Sequence, residues 1–395
     1  MKKQKKYLTI YYQGNDGIMN IDTSILEFIK KTRISLQYSI LSDSEQERLK
    51  LLFDECLSFV VKEYYPEHIP SLIICNTYNK YSMVLPVRIN KSEYKYYLLY
   101  DCYLNQINRL FDSIYLDNND STHDIWKLSY ELFAEDALLD NNEILVSYYG
   151  LNKVGLGAFE VKCDVQVNLD FILHIQERYI IGHEIGHWIY MINESNMEHK
   201  ELLLNISLDD DWSGFMNNIK NLLIDLYKEY ELKYKSMEYI QLIEEQSDIV
   251  NSNREILEEC FADAVAYAMI FAYIDSDYSN NISLKILAGQ ALFLQMMNLQ
   301  MLGMQHMYVT EKSFEKATSI RLGFFRNYVG LYFDKDESLF NNMLEETVIR
   351  YETRITNLMI ESFSELEYRA DNIYDALIDS NDIIDLSLVV GLYDI

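Results

Sequence analysis

Five consecutive residues, His183-Glu184-Ile185-Gly186-His187, combine side chains and a spacing that can bind a metal ion and use it in a reaction. Histidine is scarce in this chain, with seven in 395 residues. On an α-helix, positions four apart lie on one face, so His183 and His187 can bind one Zn²⁺ at about 2.0–2.1 Å. Glu184 lies beside them, where its carboxylate can take a proton from a zinc-activated water and pass it to a leaving amine. The motif therefore predicts a zinc site that carries its own general base.

The residues around this motif are typical of a buried helix. No proline interrupts them, and apolar side chains cover most of the helix surface: Ile180, Ile181, Ile185, Trp188 and Ile189. We expect the helix to begin near Asn168 or Asp170, either of which can act as its N-cap. Gly186 weakens a helix by up to about 1 kcal/mol, so it predicts that another backbone or a substrate passes close by. The alternative is two helical histidines with polar partners and no metal.

The five residues resemble the metal-binding motif of the zincin metallopeptidases, in which H-E-x-x-H lies on a helix. One group of zincins, the gluzincins, takes a third ligand from a glutamate on a later helix, where it begins an E-x-x-x-D or E-x-x-A-D motif. Glu259-Cys260-Phe261-Ala262-Asp263 matches both forms. The resemblance implies that Glu259 is the third zinc ligand and that Asp263 orients a ligand histidine, His183.

The second motif is a weaker signal than the first, because the chain is rich in acidic residues. Glu244–Asp248 and Glu367–Asp371 match E-x-x-x-D as well, and the chain lacks the extended zincin motif that ends in a third histidine. The uncharged apolar run after Asp263 predicts a buried helix, where a carboxylate is costly unless it is paired or bound to metal. Glu258 remains the nearest alternative as third ligand, although a helix dipole also accounts for an acidic residue there.

Two segments before the metal-binding motif are predicted to be strands. Residues 159–167 alternate between apolar and polar side chains, and Glu143–Tyr149 is a short, largely apolar run. In zincins, a sheet edge above the metal helix pairs with extended substrate. The resemblance thus implies that one of these strands binds a peptide by strand addition. The alternative is an ordinary hairpin packed on the core.

A group that stabilises the negative charge of the transition state is expected beside the metal. His306 is the best candidate, because it follows a long apolar stretch and belongs to a late His…Arg pattern similar to that of some intracellular zincins. Arg321 and Arg326 lie among apolar residues and are interpreted as structural ion-pair or snorkelling residues. His174 lies about two and a half helical turns before His183, so it is expected to face elsewhere.

The remainder of the chain is predicted to be mostly helical. Only three prolines occur, and apolar periodicity predicts helices at 210–250, 255–275, 283–304, 312–333 and 338–375. Strand-like composition appears near the N-terminus, at Ser71–Cys75, Met83–Arg88 and Tyr94–Tyr103. We therefore expect an α+β, zincin-like fold with a small mixed or antiparallel sheet and a predominantly helical remainder.

Three regions are expected along the chain. Residues 1–140 are predicted to form an N-terminal α/β region, and 326–395 a C-terminal helical region. Between them, residues 141–325 are predicted to form a zincin-like catalytic core, with an acidic helical insertion at about 194–258. Such a chain, at 395 residues, is long enough to bury a large core.

Charge and composition limit the partners and the compartment. A formal net charge of −28 argues against direct binding to nucleic acid, which needs a basic surface. The apolar run after the basic start is too short for a signal peptide, and residues 286–310 are interrupted by amides, which favours a buried helix over a membrane span. The five cysteines lack metal or disulfide spacing. We expect a cytoplasmic protein that does not bind membranes.

These expectations combine into a prediction of function. The chain is expected to be an intracellular zinc metallopeptidase with His183, His187 and Glu259 as ligands and Glu184 as general base, acting on a protein or peptide. Among zincins it looks most like bacterial or phage-related peptidases that cut one regulatory or host protein. The alternatives are a binding protein with a structural or degenerate zinc site, and a zinc hydrolase of small-molecule amides.

Overall fold

The computed structural model describes eleven segments of the chain, and every structural statement concerns these residues. They are 42–61, 69–75, 82–88, 94–116, 122–139, 142–155, 166–195, 208–234, 254–278, 281–307 and 312–379. Most of these residues are helical, and one small sheet accompanies them, so the fold class is α+β as the sequence predicts.

The elements follow one another in an order that places the sheet first and the long helices after it. Helix α1 (Asp43–Val61) precedes β1 (Ser71–Cys75), β2 (Met83–Arg88) and β3 (Tyr94–Asp101). Eight helices and a short 3₁₀ helix come next: α2 (Cys102–Leu116), α3 (Thr122–Leu139), α4 (Glu143–Gly155), α5 (Gln166–Ser195), α6 (Leu208–Tyr234), α7 (Arg254–Tyr278), α8 (Ile282–Met307), α9 (Lys312–Gly330) and the 3₁₀ helix Leu331–Asp336. The described chain ends with α10 (Glu337–Tyr351), one π-helical turn (Glu352–Thr356) and α11 (Asn357–Asp379).

The sheet is mixed and has the strand order β1-β3-β2. β3 pairs with β1 in parallel, with Leu98 opposite Leu72, and with β2 in antiparallel, with Leu98 opposite Val84. The central position of β3 explains its near-continuous apolar sequence, because residues 96–100 are all buried. Pro86 lies in the edge strand β2, where a missing N–H is tolerated.

Helix α5 carries the H-E-x-x-H motif and is buried as predicted. The apolar residues on either side of the motif are at most 7% exposed: Ile180, Ile181, Ile185, Trp188 and Ile189. The predicted N-caps are wrong, however, because α5 already includes Gln166 and so contains Asn168 and Asp170 within its first turns. The same prediction of burial is confirmed for α7, whose residues 260–264 are almost fully buried.

The prediction of a strand at Glu143–Tyr149 is wrong, because these residues begin helix α4. The side-chain Oδ1 of Asn142 accepts a hydrogen bond from the backbone N–H of Leu145 at 3.2 Å, which caps the helix. Tyr148 and Tyr149 are buried in a cluster with residues of α3 and α11. The other predicted strand, residues 159–167, lies outside the described residues up to 165, and its last two residues belong to α5.

The chain divides into two compact units, each built from two separate stretches. The first comprises the residues up to Asn105 and Ile172–Met343; the second comprises Gln106–Phe171 and the residues from Leu344. In the second unit, α3 packs on α4 and α11, and the hydroxyls of Ser129 and Ser362 lie 2.6 Å apart. The division of the sequence at 140 and 325 does not follow these boundaries and remains a prediction.

Helix α8 is the most apolar long helix of the described chain. Its stretch Ile282–Gly303 is long and apolar enough to cross a membrane, with a mean hydropathy of 1.3, a property that core helices share. Here its middle is buried together with its polar residues Gln295 and Asn298. The sulfur of Met296 lies 3.6 Å from the hydroxyl oxygen of Tyr179 on α5. These contacts are those of a core helix, in agreement with the prediction for this stretch.

Candidate metal centre

Helices α5 and α7 cross at a point where small residues face each other. A Cβ atom added at Gly186 would lie 2.6 Å from the Cα of Ala262, and one added at Gly182 would lie 3.1 Å from the Cα of Ala266. The two backbones are therefore in direct contact, which only glycine permits at position 186. The sequence predicts that another backbone or a substrate passes close to Gly186, and the structure shows the backbone of α7 at this place. The crossing brings the carboxylates of α7 within reach of the histidines of α5.

Three side chains from the two helices converge at this crossing. His183, His187 and Glu259 offer ligand atoms that all lie within 4.8 Å of one another. The Nε2 atoms of the two histidines are 3.1 Å apart. Glu259 places its Oε2 3.4 Å from Nε2 of His183 and its Oε1 3.7 Å from Nε2 of His187. Among the described residues, this group could hold a metal ion.

The separations of these atoms fit a tetrahedral metal ion. Ligand atoms at about 2.0–2.1 Å from such an ion lie about 3.3–3.4 Å from one another. The two nitrogens are 3.1 Å apart, and each lies 3.4 or 3.7 Å from a different oxygen of Glu259, which is close to these separations. Three protein ligands leave one tetrahedral position for a water or a substrate, as in catalytic zinc sites.

Each histidine has a carboxylate at its other ring nitrogen. Nδ1 of His187 lies 3.0 Å from Oε1 of Glu258, and Nδ1 of His183 lies 2.9 Å from Oδ1 of Asp263. A carboxylate only accepts hydrogen bonds, so each of these contacts favours a proton on Nδ1 of the imidazole. The two Nε2 atoms then present lone pairs toward each other. At this point, with the carboxylate of Glu259 beside the two nitrogens 3.1 Å apart, a proton or a metal ion can bind.

The sequence interpretation missed two residues that complete this arrangement, Arg321 and Tyr179. Arg321 of α9 donates from Nε and Nη2 to the two oxygens of Asp263, at 2.9 and 2.8 Å. Its Nη1 lies 3.1 Å from Oε2 of Glu259. The hydroxyl of Tyr179 donates to Oδ1 of Asp263 at 2.5 Å and accepts from Nη2 of Arg321 at 3.2 Å.

Sequence signals for these residues exist in part. Tyr179 lies four positions before His183, on the same face of α5, so its proximity follows from helical spacing. Arg321 is an ion-pair residue as interpreted, but its partners are the two acidic residues of the second motif. Only the buried Asp263, which needs a positive partner, points to such an arginine. Glu258 was considered as a ligand, whereas it contacts the far side of the His187 ring.

The electrostatics of the site favour ionised carboxylates. Burial favours the neutral form of Asp263, but the charge of Arg321 and the contact with His183 outweigh it and lower the pKa of this carboxyl to about 2. Burial is likewise outweighed at Glu259, where Arg321 and His183 hold the pKa well below its usual value. Burial of Tyr179, together with the adjacent Asp263, raises the pKa of its phenol well above the usual value, so this hydroxyl stays protonated and donates.

His183 responds to the same carboxylates in the opposite sense. Burial would lower the pKa of its imidazole, but the contacts with Asp263 and Glu259 outweigh burial and raise the pKa to about 10. The protein groups alone therefore attract a positive charge to this point. A proton and a metal ion compete for the same lone pair of His183.

The remaining predicted site residues lie on helices α5, α8 and α9. Glu184 directly follows His183 in α5 and is 7% exposed. The backbone of His306 lies in the last turn of α8, and its side chain is outside the described residues. His174 is away from the cluster, as predicted: its Nε2 accepts a hydrogen bond from Nε of Arg178 at 3.1 Å. Arg326 is exposed.

A second charged cluster lies on another face of α5. Glu177 accepts hydrogen bonds from Arg48 at 2.5 and 2.7 Å and from Asn105 at 2.8 Å. The next residue, Arg178, contacts Glu55 of α1, and its guanidinium lies 3.6 Å from the centroid of the Tyr273 ring. These ion pairs connect α5 with α1.

Comparison with known proteins gives no relative for this chain. No family model matches it, and no curated protein or solved structure matches it either. Any functional assignment therefore rests on the residues of the crossing helices and their geometry.

Proposed function

We propose that the chain is a zinc metallopeptidase of gluzincin type, in which His183, His187 and Glu259 hold Zn²⁺. The observation that carries this proposal is the convergence of two imidazole lone pairs and one carboxylate, each fixed from behind by another group. Two nitrogen ligands and one oxygen ligand form the same donor set as in catalytic zinc sites of the two-histidine, one-glutamate kind. The crossing of two helices supports a zincin-like fold for the first unit.

When bound, zinc would lower the pKa of a water in the fourth position and polarise the carbonyl of the scissile bond. The protein groups have separate tasks. Glu184 accepts the proton of the attacking water and delivers it to the leaving nitrogen. Asp263 and Glu258 keep the two imidazoles in the Nδ1–H tautomer, so that each Nε2 remains a ligand.

The substrate class follows from chemistry and charge. A general base placed beside a metal-activated water suits the hydrolysis of an amide, and we propose a peptide bond of a protein or peptide as the target. The net charge of −28 favours basic over acidic partners and disfavours nucleic acid. A narrow substrate range, in a regulatory or defence role, is proposed by analogy with cytoplasmic zincins, and a cytoplasmic location belongs to the same proposal.

Two alternatives differ from this proposal in what the metal does. In a binding protein with a structural zinc, four protein ligands would close the site, whereas three converge here among the described residues. A hydrolase of small-molecule amides would use the same ligands and base, and differs only in its substrate. The decisive residue for the first alternative is Glu184, which a structural site does not need.

Replacing the general base tests the mechanism. In Glu184→Gln we expect one zinc per chain to remain, because the ligands are unchanged, and peptide cleavage to fall by about 10²–10⁴. Zinc is measured by elemental analysis of the purified protein, and cleavage by a proteome-wide search for new N-termini. Glu177→Gln is the matched control on the same helix and should cleave normally.

The proposal fails if Glu184→Gln keeps both its zinc and its cleavage activity. It also fails if the purified wild-type protein holds no zinc after reconstitution. Zinc bound with no cleavage of any polypeptide by the wild type would favour the alternatives, and a screen of small amides would then separate the two.

A further inference from the structure

Arg321 is a charged residue at the centre of the cluster that the proposed mechanism does not use. Its guanidinium contacts two carboxylates through different nitrogens: Nε and Nη2 bind Asp263, and Nη1 lies 3.1 Å from Oε2 of Glu259. Arg321 and Glu259 are partly buried, and Asp263 is fully buried. One arginine is thus shared by the proposed third ligand and by the residue that orients His183.

The two oxygens of Glu259 have different surroundings. Oε2 lies between Nη1 of Arg321, at 3.1 Å, and Nε2 of His183, at 3.4 Å. Oε1 lies 3.7 Å from Nε2 of His187. The carboxylate therefore faces both histidines with different oxygens, so a metal held by the two Nε2 atoms could bind either oxygen or both.

The number of oxygens that bind decides the coordination number of the metal. A glutamate that binds a small cation through both oxygens occupies two positions, so with two histidines and a water the ion becomes five-coordinate. A glutamate that binds through one oxygen leaves the fourth position open, as a catalytic site requires. A cation that forms an ion pair with one carboxylate oxygen makes that oxygen a weaker electron-pair donor to a metal ion.

We infer that Arg321 is a positioning residue that restricts Glu259 to one metal-binding oxygen and so keeps the metal four-coordinate, with one position for water. This inference rests on the proposed metal site, because it concerns how the third ligand binds. Arg321 does not contact the reacting atoms in this role; it acts through Glu259.

The structure explains why the residue is arginine. The planar guanidinium binds Asp263 with two parallel hydrogen bonds, which fixes its orientation and leaves Nη1 directed at Glu259. The Tyr179 hydroxyl accepts from Nη2 and holds the same edge of the group. A lysine ammonium would supply the charge but lacks the planar set of donors, so it would contact one carboxylate at a time.

The test uses Co²⁺ in place of zinc, because Zn²⁺ has no visible absorption and the absorption of Co²⁺ reports its coordination number. The intact protein and its variants are loaded with one equivalent of Co²⁺ at neutral pH. We expect an intense, four-coordinate spectrum for the wild type and for Arg326→Met, an exposed arginine on the same helix. In Arg321→Met the second oxygen of Glu259 joins the metal, and the visible absorbance per cobalt should fall by about twofold or more.

Arg321→Met leaves Asp263 buried with less positive charge and can fail to fold, so Arg321→Lys is measured in parallel. The lysine variant keeps the positive charge but cannot contact Asp263 and Glu259 at the same time. Its visible absorbance per cobalt should therefore fall in the same way. An Arg321→Lys spectrum equal to that of the wild type overturns the inference.

The outcomes also separate this inference from the proposed function. Wild-type protein that binds no Co²⁺ overturns both. Spectra that change in the Arg321 variants, in a protein that cleaves no polypeptide, support the inference and contradict the peptidase. Unchanged spectra in a protein whose activity depends on Glu184 contradict the inference alone.

Discussion

Helix α5 carries two charged clusters that differ in their balance of charge. At Glu177 and Arg178, each charge has an opposite partner from α1, so two carboxylates meet two guanidinium groups. At the metal centre, three carboxylates contact the histidines, and one arginine faces them. The first cluster is complete without any other group. The second has two negative charges in excess when the imidazoles are neutral, which one divalent cation would balance.

This difference separates a structural function from a chemical one on the same helix. Partly buried ion pairs in equal numbers hold helices together, and removing the buried member of a pair costs stability. An excess of carboxylates behind two imidazole lone pairs would be unfavourable in a folded core unless a cation binds there. The comparison therefore predicts that mutations in the first cluster change the free energy of unfolding, whereas mutations in the second change zinc affinity.

The largest effect is expected from loss of the proposed third ligand. Glu259→Ala should lower zinc affinity by a factor on the order of 10²–10³, because one of the few bonds that share about 10–16 kcal/mol of binding energy is removed. Competition with a coloured chelator at fixed pH measures this affinity. The matched change is Glu177→Ala in the cluster of Glu177, Arg178, Arg48 and Glu55, called the balanced cluster because its charges are equal in number. This variant should have a lower free energy of unfolding and an unchanged zinc affinity. Equal losses of affinity in both variants would contradict the distinction between the clusters.

A steric change at the helix crossing should affect both zinc affinity and the free energy of unfolding. In Gly186→Ala the new methyl group would lie 2.6 Å from the Cα of Ala262, so α5 and α7 must separate. We expect the free energy of unfolding to fall by about 1–3 kcal/mol, together with weaker zinc binding. Urea unfolding with and without zinc measures both effects.

The control for this change is Gly214→Ala in α6, where the added methyl group meets nothing within 4 Å. This substitution should leave zinc binding unchanged and raise stability slightly, since alanine is the better helix former. If Gly186→Ala also gained stability and kept its zinc, the close approach of the two backbones would not matter to the site.

A smaller effect is expected from the group that orients His187. Glu258→Gln keeps the shape of the side chain but can hydrogen-bond either tautomer of the imidazole, so the Nδ1–H form is no longer fixed. Zinc affinity should fall by about 10–100-fold. Glu255→Gln, at an exposed position of the same helix, is the control and should bind zinc like the wild type. An unchanged affinity in Glu258→Gln would remove this residue from the site.

The smallest change in stability is expected at Arg48, the half-exposed member of the balanced cluster. Arg48 is half exposed, and Glu177 keeps its hydrogen bond from Asn105 when the arginine is removed. Arg48→Met should therefore lower the free energy of unfolding by about 1 kcal/mol and leave zinc stoichiometry at its wild-type value. A loss of zinc in this variant would show that the two faces of α5 are coupled.

The parts of the site that sequence could predict are those fixed by helical spacing. His183 and His187 share a face because they are four residues apart, and an apolar run after Asp263 indicates burial. The α+β class and the three N-terminal strands followed from composition and from the few prolines. The zincin-like fold, the zinc and the peptidase activity remain predictions for experiment.

The parts that sequence could not predict depend on contacts between distant residues. Arg321 approaches Asp263 because α9 packs near α7, and nothing near position 321 indicates that partner. Glu143–Tyr149 has the apolar content of a strand, but packing of Tyr148 and Tyr149 against α3 and α11 favours a helix. The Asn142 cap was a local signal for that helix, and the apolar run outweighed it in the sequence interpretation.

The order in which the site residues occur along the chain affects when the centre can be completed. The histidines come from α5, the carboxylates from α7 and the arginine from α9, so the polypeptide must be synthesised beyond residue 321 before all of them are present. The first unit requires the chain up to Met343, and the second is completed only by residues after Leu344. A ribosome-bound chain that ends before α9 therefore has the three proposed ligands but lacks the arginine that contacts Asp263 and Glu259, so the complete centre forms late in synthesis.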